Sequence, residues 1–130
     1  MSRVIALDHG EARCGVALSD PTGELATPLG AVERPDTRRG LAALAALVRE
    51  REAERVIVGL PLTLKGQEGD QARAARTFAE RLAELVEVPV ELHDERLTTR
   101  MAERGGGESD ADSRAAAHLL ESWLAGQRRA

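Results

Sequence analysis

Three carboxylate-bearing stretches carry the chemistry this sequence could perform: Asp8 in Asp8-His9-Gly10, the pair Asp94-Glu95, and Asp112. Carboxylates brought from separate elements to one place are hard oxygen donors suited to Mg2+ or Mn2+. A two-metal site activates water on one side of a phosphodiester and stabilises the leaving oxygen on the other. Such a site needs no serine or cysteine nucleophile and no histidine base. The histidines agree with this, because His9, His93 and His118 show no zinc-type spacing. His9 is expected as a solvated turn residue, with contact to a leaving group as the alternative, and His118 has no obvious partner. Each acid also has an ordinary use. Asp-x-Gly is common turn chemistry, and an acid in the first turn of a helix complements the helix dipole.

The elements that must position these acids follow from the apolar pattern. Val4 to Leu7 reads as a short strand, Gly10 permits a reversal, and Gly15 to Leu18 reads as a returning strand that ends in Ser19-Asp20. A weaker strand spans 25–32, where Pro28 suits a sheet edge. Asp36 or Thr37 can cap a helix over about 38–52, with Leu41, Leu44 and Val48 as its apolar stripe. Val56, Ile57 and Val58 form a continuous β-branched run, as expected for a strand covered on both faces. A helix over about 70–86 carries Phe78, Leu82, Leu85 and Val86 on one side. A strand over 90–95, a short helical stretch near 97–104, the break Gly105-Gly106-Gly107 and a last helix over about 110–124 complete the chain.

Three strands without intervening helices form a meander, and the later strands need helical crossovers. The expected fold is α/β: a five-stranded mixed sheet with helices on both faces, in one domain over residues 1–130. The first, fourth and fifth strands would end at one rim, the usual ligand side of an open α/β sheet. Asp8 and the Asp94-Glu95 pair lie there. Strand alternation forbids Asp94 and Glu95 from both facing one site but does not choose between them. If the fourth strand lies between the other two, Gly59 leaves open space for a side chain. In the last helix Asp112, Ala116, Leu119 and Trp123 share one stripe, so Asp112 points as the core residues point.

These stretches resemble the YqgF family of pre-16S rRNA nucleases, also called Holliday-junction-resolvase-like proteins. The match is carried in family order by Asp8-His9-Gly10 through Ser19-Asp20, by Val56-Ile57-Val58-Gly59-Leu60-Pro61-Leu62, by His93-Asp94-Glu95-Arg96-Leu97-Thr98-Thr99, and by Asp112-Ser113 through Leu120-Glu121-Ser122-Trp123-Leu124. The resemblance implies an RNase H-like fold and a triad of Asp8, Glu95 and Asp112, both catalytic and metal-ligating, so it selects Glu95 over Asp94. It also implies Mg2+- or Mn2+-dependent phosphodiester hydrolysis in maturation of the 5′ end of 16S rRNA. Arg13 and Arg96 lie in the matched motifs as candidate phosphate contacts, with ion-pair bracing of their loops as the alternative. Thr98 and Thr99 are candidates for phosphate contact or for capping. Gly10 and Gly15 would let the backbone approach a phosphate. Thr63 and Lys65 depart from the asparagine and acid common in the family, and the segment before Asp112 is short and acidic where relatives often carry lysine.

Bulk properties bound the rest. The net charge is −4, from 18 basic and 22 acidic residues, so no global basic footprint marks a nucleic-acid binder. All the basic residues but Lys65 are arginine. Phe78 and Trp123 are the only aromatics, which argues against stacking platforms for single strands. Cys14 is the single cysteine, so no intrachain disulfide forms. No signal peptide or membrane span is legible, and the expected location is the cytoplasm. Expected partners are structured RNA, above all precursor rRNA, with branched DNA, ribosomal particles and a second copy of the chain as further candidates. Two competing readings belong to other classes: a non-catalytic RNA-binding assembly factor, and an actin-like nucleotide-binding module, for which 130 residues leave no second lobe.

Overall fold

The computed structural model describes residues 3–96 and 108–129. Five strands form one sheet: β1 (Val4–His9), β2 (Arg13–Ser19), β3 (Ala26–Glu33), β4 (Arg55–Leu60) and β5 (Val90–Asp94). The helices are α1 (Arg38–Glu50), α2 (Asp70–Ala83) and α3 (Glu108–Arg129). The strand order is β3-β2-β1-β4-β5. β1, β2 and β3 pair antiparallel, whereas β4 runs parallel to β1 and β5 parallel to β4. The meander and the two parallel additions are as the sequence implies, and β3 with Pro28 is an edge.

Strand alternation divides the core into two layers. Ile5, Leu7, Val16, Val56 and Val58 pack under α1 and α2 against Leu41, Leu44, Phe78 and Leu82. Val4, Ala6, Ala17 and Ile57 pack under α3 against Ala116, Leu119, Leu120 and Trp123. Burying one such aliphatic side chain contributes roughly 1.5–3 kcal/mol, so two aliphatic layers replace the aromatics this chain lacks. The far rim is closed by the end of β2. Ser19 Oγ accepts from Val4 N at 2.8 Å, and Asp20 Oδ1 accepts from the amides of Glu24 and Leu25 at 2.9 and 3.0 Å. Those bonds hold the Asp20 carboxyl below its usual range, with the Thr22 hydroxyl contributing most.

Two helix ends depart from the periodicity. α1 stops at Glu50, and Glu52 takes a φ of 55°. α2 stops at Ala83 rather than near 86. The Leu85 amide then bonds Leu82 O at 2.8 Å in a tighter turn, which swings Leu85 out to 47% exposure. The expected short helix near 97–104 lies outside the described residues, as do Thr98 and Thr99. Among the described residues no helix is long and apolar enough to cross a membrane.

Candidate active site

Asp8 stands near the end of β1 and shares the α3-facing side of Val4 and Ala6. Glu95 follows directly after β5. Glu91 and His93 face α3, where Trp123 Nε1 donates to Glu91 Oε2 at 3.3 Å and His93 Nε2 lies 3.0 Å from Ser122 Oγ. Alternation carries Glu95 to that same side. Asp94 turns away and accepts from the backbone N and Nε of Arg96 at 3.0 and 2.8 Å. The choice that pleating alone left open is thus made by where α3 packs.

Glu95 hydrogen-bonds Asp8 across the intervening strand β4. Gly59 makes the crossing possible. A Cβ there would stand 2.0 Å from Glu95 Oε2 and 3.2 Å from Leu119 Cδ2. The space foreseen at Gly59 is therefore filled by the Glu95 carboxyl. Burial, before any other cause, raises Asp8 to about 6; the Asp112 charge adds to the rise, while the Glu95 hydrogen bond and His9 oppose it. Burial likewise raises Glu95 to about 8, reinforced by the charge and hydrogen bond of Asp8. Burial and mutual repulsion thus favour a proton shared between the two carboxyls.

Asp112 lies at the start of α3, within electrostatic reach of Asp8. Its Oδ2 is 3.6 Å from Arg13 Nε. Among the described residues no group of three His, Cys, Asp or Glu is arranged to hold a metal ion. The expected three-acid cluster is thus a close pair, with its third member turned to an arginine. The donor set still suits a hard cation. Two half-buried carboxyls held in contact offer the hard oxygen donors that Mg2+ and Mn2+ prefer.

The other expected site residues take structural partners. Arg13 braces Asp112, and Arg96 pairs with Asp94 while its Nη1 reaches Leu64 O at 3.5 Å. Gly10 closes its turn by donating to Arg13 O at 3.0 Å. Gly15 does not offer its open side to a phosphate. A Cβ there would meet the Asp112 carbonyl oxygen at 1.9 Å, so that side seats the first turn of α3. His9 is not a solvated turn residue. Its side chain is 5% exposed, its Nε2 contacts both Asp36 carboxylate oxygens at 2.9 and 3.0 Å, and its ring packs on Phe78 at 4.7 Å. Being next to Asp8, it faces the opposite layer, a signal already present in strand alternation. His118 has Glu121 as partner at 3.5 Å. Cys14 is fully buried and its thiol is pushed well up by burial, so it is no nucleophile.

Open grooves flank the carboxylate pair. One of about 350 Å³ lies between Gly10, Ala12, Arg13 and the start of α3. Another of about 450 Å³ runs from Glu95 and Arg96 along Pro61, Leu62, Thr63 and Gln71.

This mixed sheet, with its acids at the parallel strand ends and helices on both faces, defines an RNase H-like protein. Solved structures agree on the fold. RuvC of Thermus thermophilus, in complex with Holliday junction substrate, superposes with a TM-score of 0.65 at 17% identity, covering 100% of this chain and 98% of that one. Fowlpox virus resolvase, in complex with Holliday junction DNA, gives 0.59 at 10% identity, covering 96% and 98%. The chain belongs to the RuvX Holliday junction resolvase family, which matches residues 2–126. It is 44% identical over 134 residues to a protein of Anaeromyxobacter sp. (strain Fw109-5) named "Putative pre-16S rRNA nuclease", covering 96% of this chain and 98% of that one. A protein of the same name from Rhodococcus erythropolis is 46% identical over 146 residues, covering 98% and 80%. The resemblance read from the motifs is borne out.

Proposed function

We propose that this chain is a divalent-metal-dependent nuclease that hydrolyses phosphodiester bonds in precursor 16S rRNA. The observation that carries the reading is the half-buried Asp8–Glu95 contact at the parallel rim, made possible by Gly59. Relatives named for pre-16S rRNA cleavage at 44–46% identity favour rRNA as the substrate. Asp8 and Glu95 would hold the ion. Asp112 would join them with Arg13 turned from its carboxylate to a substrate phosphate, a partner that a guanidinium grips bidentately. When bound, Mg2+ or Mn2+ supplies Lewis-acid activation of water and charge neutralisation at the phosphodiester. The hydrogen-bonded Asp8 and Glu95 carboxyls would serve it as ionised ligands, and α3 screens the pair from one side.

Cleavage of branched DNA is the second reading, favoured by the family that residues 2–126 match. Both substrates present the same phosphodiester to the site. The experiment is side-by-side incubation of a precursor 16S rRNA 5′-end fragment and a four-way DNA junction with purified protein and Mn2+ or Mg2+. Selective RNA cleavage supports the first reading, and selective junction cleavage supports the second. Cleavage of neither, with both substrates bound, leaves a non-catalytic RNA-binding role.

A further inference from the structure

The turn that follows β4 is unusual for its surroundings. Gly66 N bonds Thr63 O at 2.8 Å, Thr63 N bonds Gln67 O at 2.9 Å, and Gln67 N bonds Thr63 Oγ1 at 3.0 Å. Gly66 completes the reversal at a φ of 81°. Arg96 pins the turn from outside through Leu64 O. This closed turn projects Leu64 at 91% exposure, the most exposed large apolar side chain among the described residues. Next to it stands Lys65, the chain's single lysine. Among the described residues, Arg96, Arg73 and Arg76 nearby are tied to Asp94, Asp70 and Glu68, whereas no carboxylate pairs with Lys65. Thr63 and Arg96 line the groove that begins at Glu95, so the tip stands at the edge of that groove.

A single exposed leucine needs no explanation by itself. Leu25, at 66% exposure on the far rim, is of that kind. Leu64 differs in being held on a hydrogen-bonded turn at the edge of the groove that begins at Glu95, next to an ammonium that no carboxylate pairs among the described residues. One apolar tip and one cation in sequence match the alternation of base face and phosphate along a nucleic-acid strand.

We propose that the turn at residues 63–67 is a strand-gripping element, in which Leu64 packs on an unstacked base flanking the scissile phosphate and Lys65 pairs with the adjoining backbone phosphate. The inference rests on the nuclease reading and deepens it, since it says how the substrate is held open beside the site.

The test uses the precursor rRNA fragment with 2-aminopurine placed at successive positions around the cleavage point. Binding is measured on the Asp8→Asn protein alone and with Leu64→Ala, Lys65→Gln or Leu25→Ala added, and cleavage is measured on the same variants with Asp8 intact. Lys65→Gln is expected to reduce the slope of log Kd against log salt by about 0.7 to 1. Leu64→Ala is expected to abolish the fluorescence rise at one 2-aminopurine position and to weaken binding roughly tenfold. Leu25→Ala changes neither, and all variants keep the parent's melting temperature. Unchanged slope and fluorescence in both turn variants, with cleavage intact, overturn the inference and leave the nuclease reading standing. A wild type that neither binds nor cleaves the RNA overturns both.

Discussion

Gly59 and the two carboxyls around it are interdependent. Glu95 occupies the place a side chain would take, so Gly59→Ala drives a methyl into its Oε2. A misplacement of about 1 Å at a reacting centre costs about a hundredfold in rate. We expect Gly59→Ala to keep its circular dichroism spectrum and lose cleavage by that order; a variant of wild-type rate would mean that Glu95 need not stand there. The carboxyls also set a pH dependence. In an unfolded chain both titrate near about 4, whereas in the folded protein burial raises Asp8 to about 6 and Glu95 to about 8. Between those limits the native state binds more protons than the unfolded one, so this pair's contribution to metal-free stability falls as pH rises from about 4 to about 8. Glu95→Gln removes the larger share. In EDTA its melting temperature is expected to exceed that of wild type by several degrees at pH 8, corresponding to ~1 kcal/mol or more, and to converge on it near pH 4. Thermal unfolding at both pH values checks the sign, and a variant less stable than wild type at pH 8 contradicts it. Asp94 and Glu95 show what was legible at this scale. Their adjacency announced that one of them faces the site, but the choice depended on which layer receives α3, a tertiary fact.

At the scale of elements, the site is a meeting of three strand ends and one helix start. β1 and β5 bring the close pair, β4 supplies the gap, and α3 brings Asp112. The junction of α3 with β2 is the tightest of these, because the Asp112 carbonyl sits where Gly15 lacks a side chain. Gly15→Ala is expected to push the helix start outward and to destabilise the protein by ~1–3 kcal/mol. Denaturant midpoints measure the loss, and an unchanged midpoint would show that the contact is loose. Cleavage should fall further than stability alone explains, since Asp112 moves with its helix. The stripe Asp112, Ala116, Leu119 and Trp123 was readable from 3.6-residue spacing, and its last three members are buried as expected. The backbone contact at Gly15 was not readable, because a glycine in a hairpin has several uses and only the packed helix shows which applies. His9 illustrates the same limit: its neighbour and parity pointed to the other layer, but Asp36 and Phe78 come from distant elements.

Across the whole molecule, one sheet carries two unequal jobs. The layer beneath α1 and α2 is an aliphatic core joined by Phe78 and locked at the rim by His9 and Asp36. The layer beneath α3 ends in the carboxylate pair. The meander, the parallel later strands and helices on both faces followed from the sequence because short connections and helical crossovers leave few closures, whereas the place of β4 between β1 and β5 did not. Residues that hold the rim together through guanidiniums, Arg13 and Arg96, were ambiguous because the same group binds carboxylate and phosphate alike. A divalent ion should join these parts. Protons would compete with it for these raised carboxyls, so Mn2+ is expected to raise the melting temperature more at pH 8 than at pH 6, and to leave Asp8→Asn unmoved. The most direct test is cleavage of a precursor 16S rRNA 5′-end fragment by wild type and Asp8→Asn with Mn2+ or Mg2+. Cleavage is expected to require the ion and to be lost in a folded Asp8→Asn protein, whereas full cleavage by Asp8→Asn, or undiminished cleavage in EDTA, would contradict a metal-dependent role for these carboxyls.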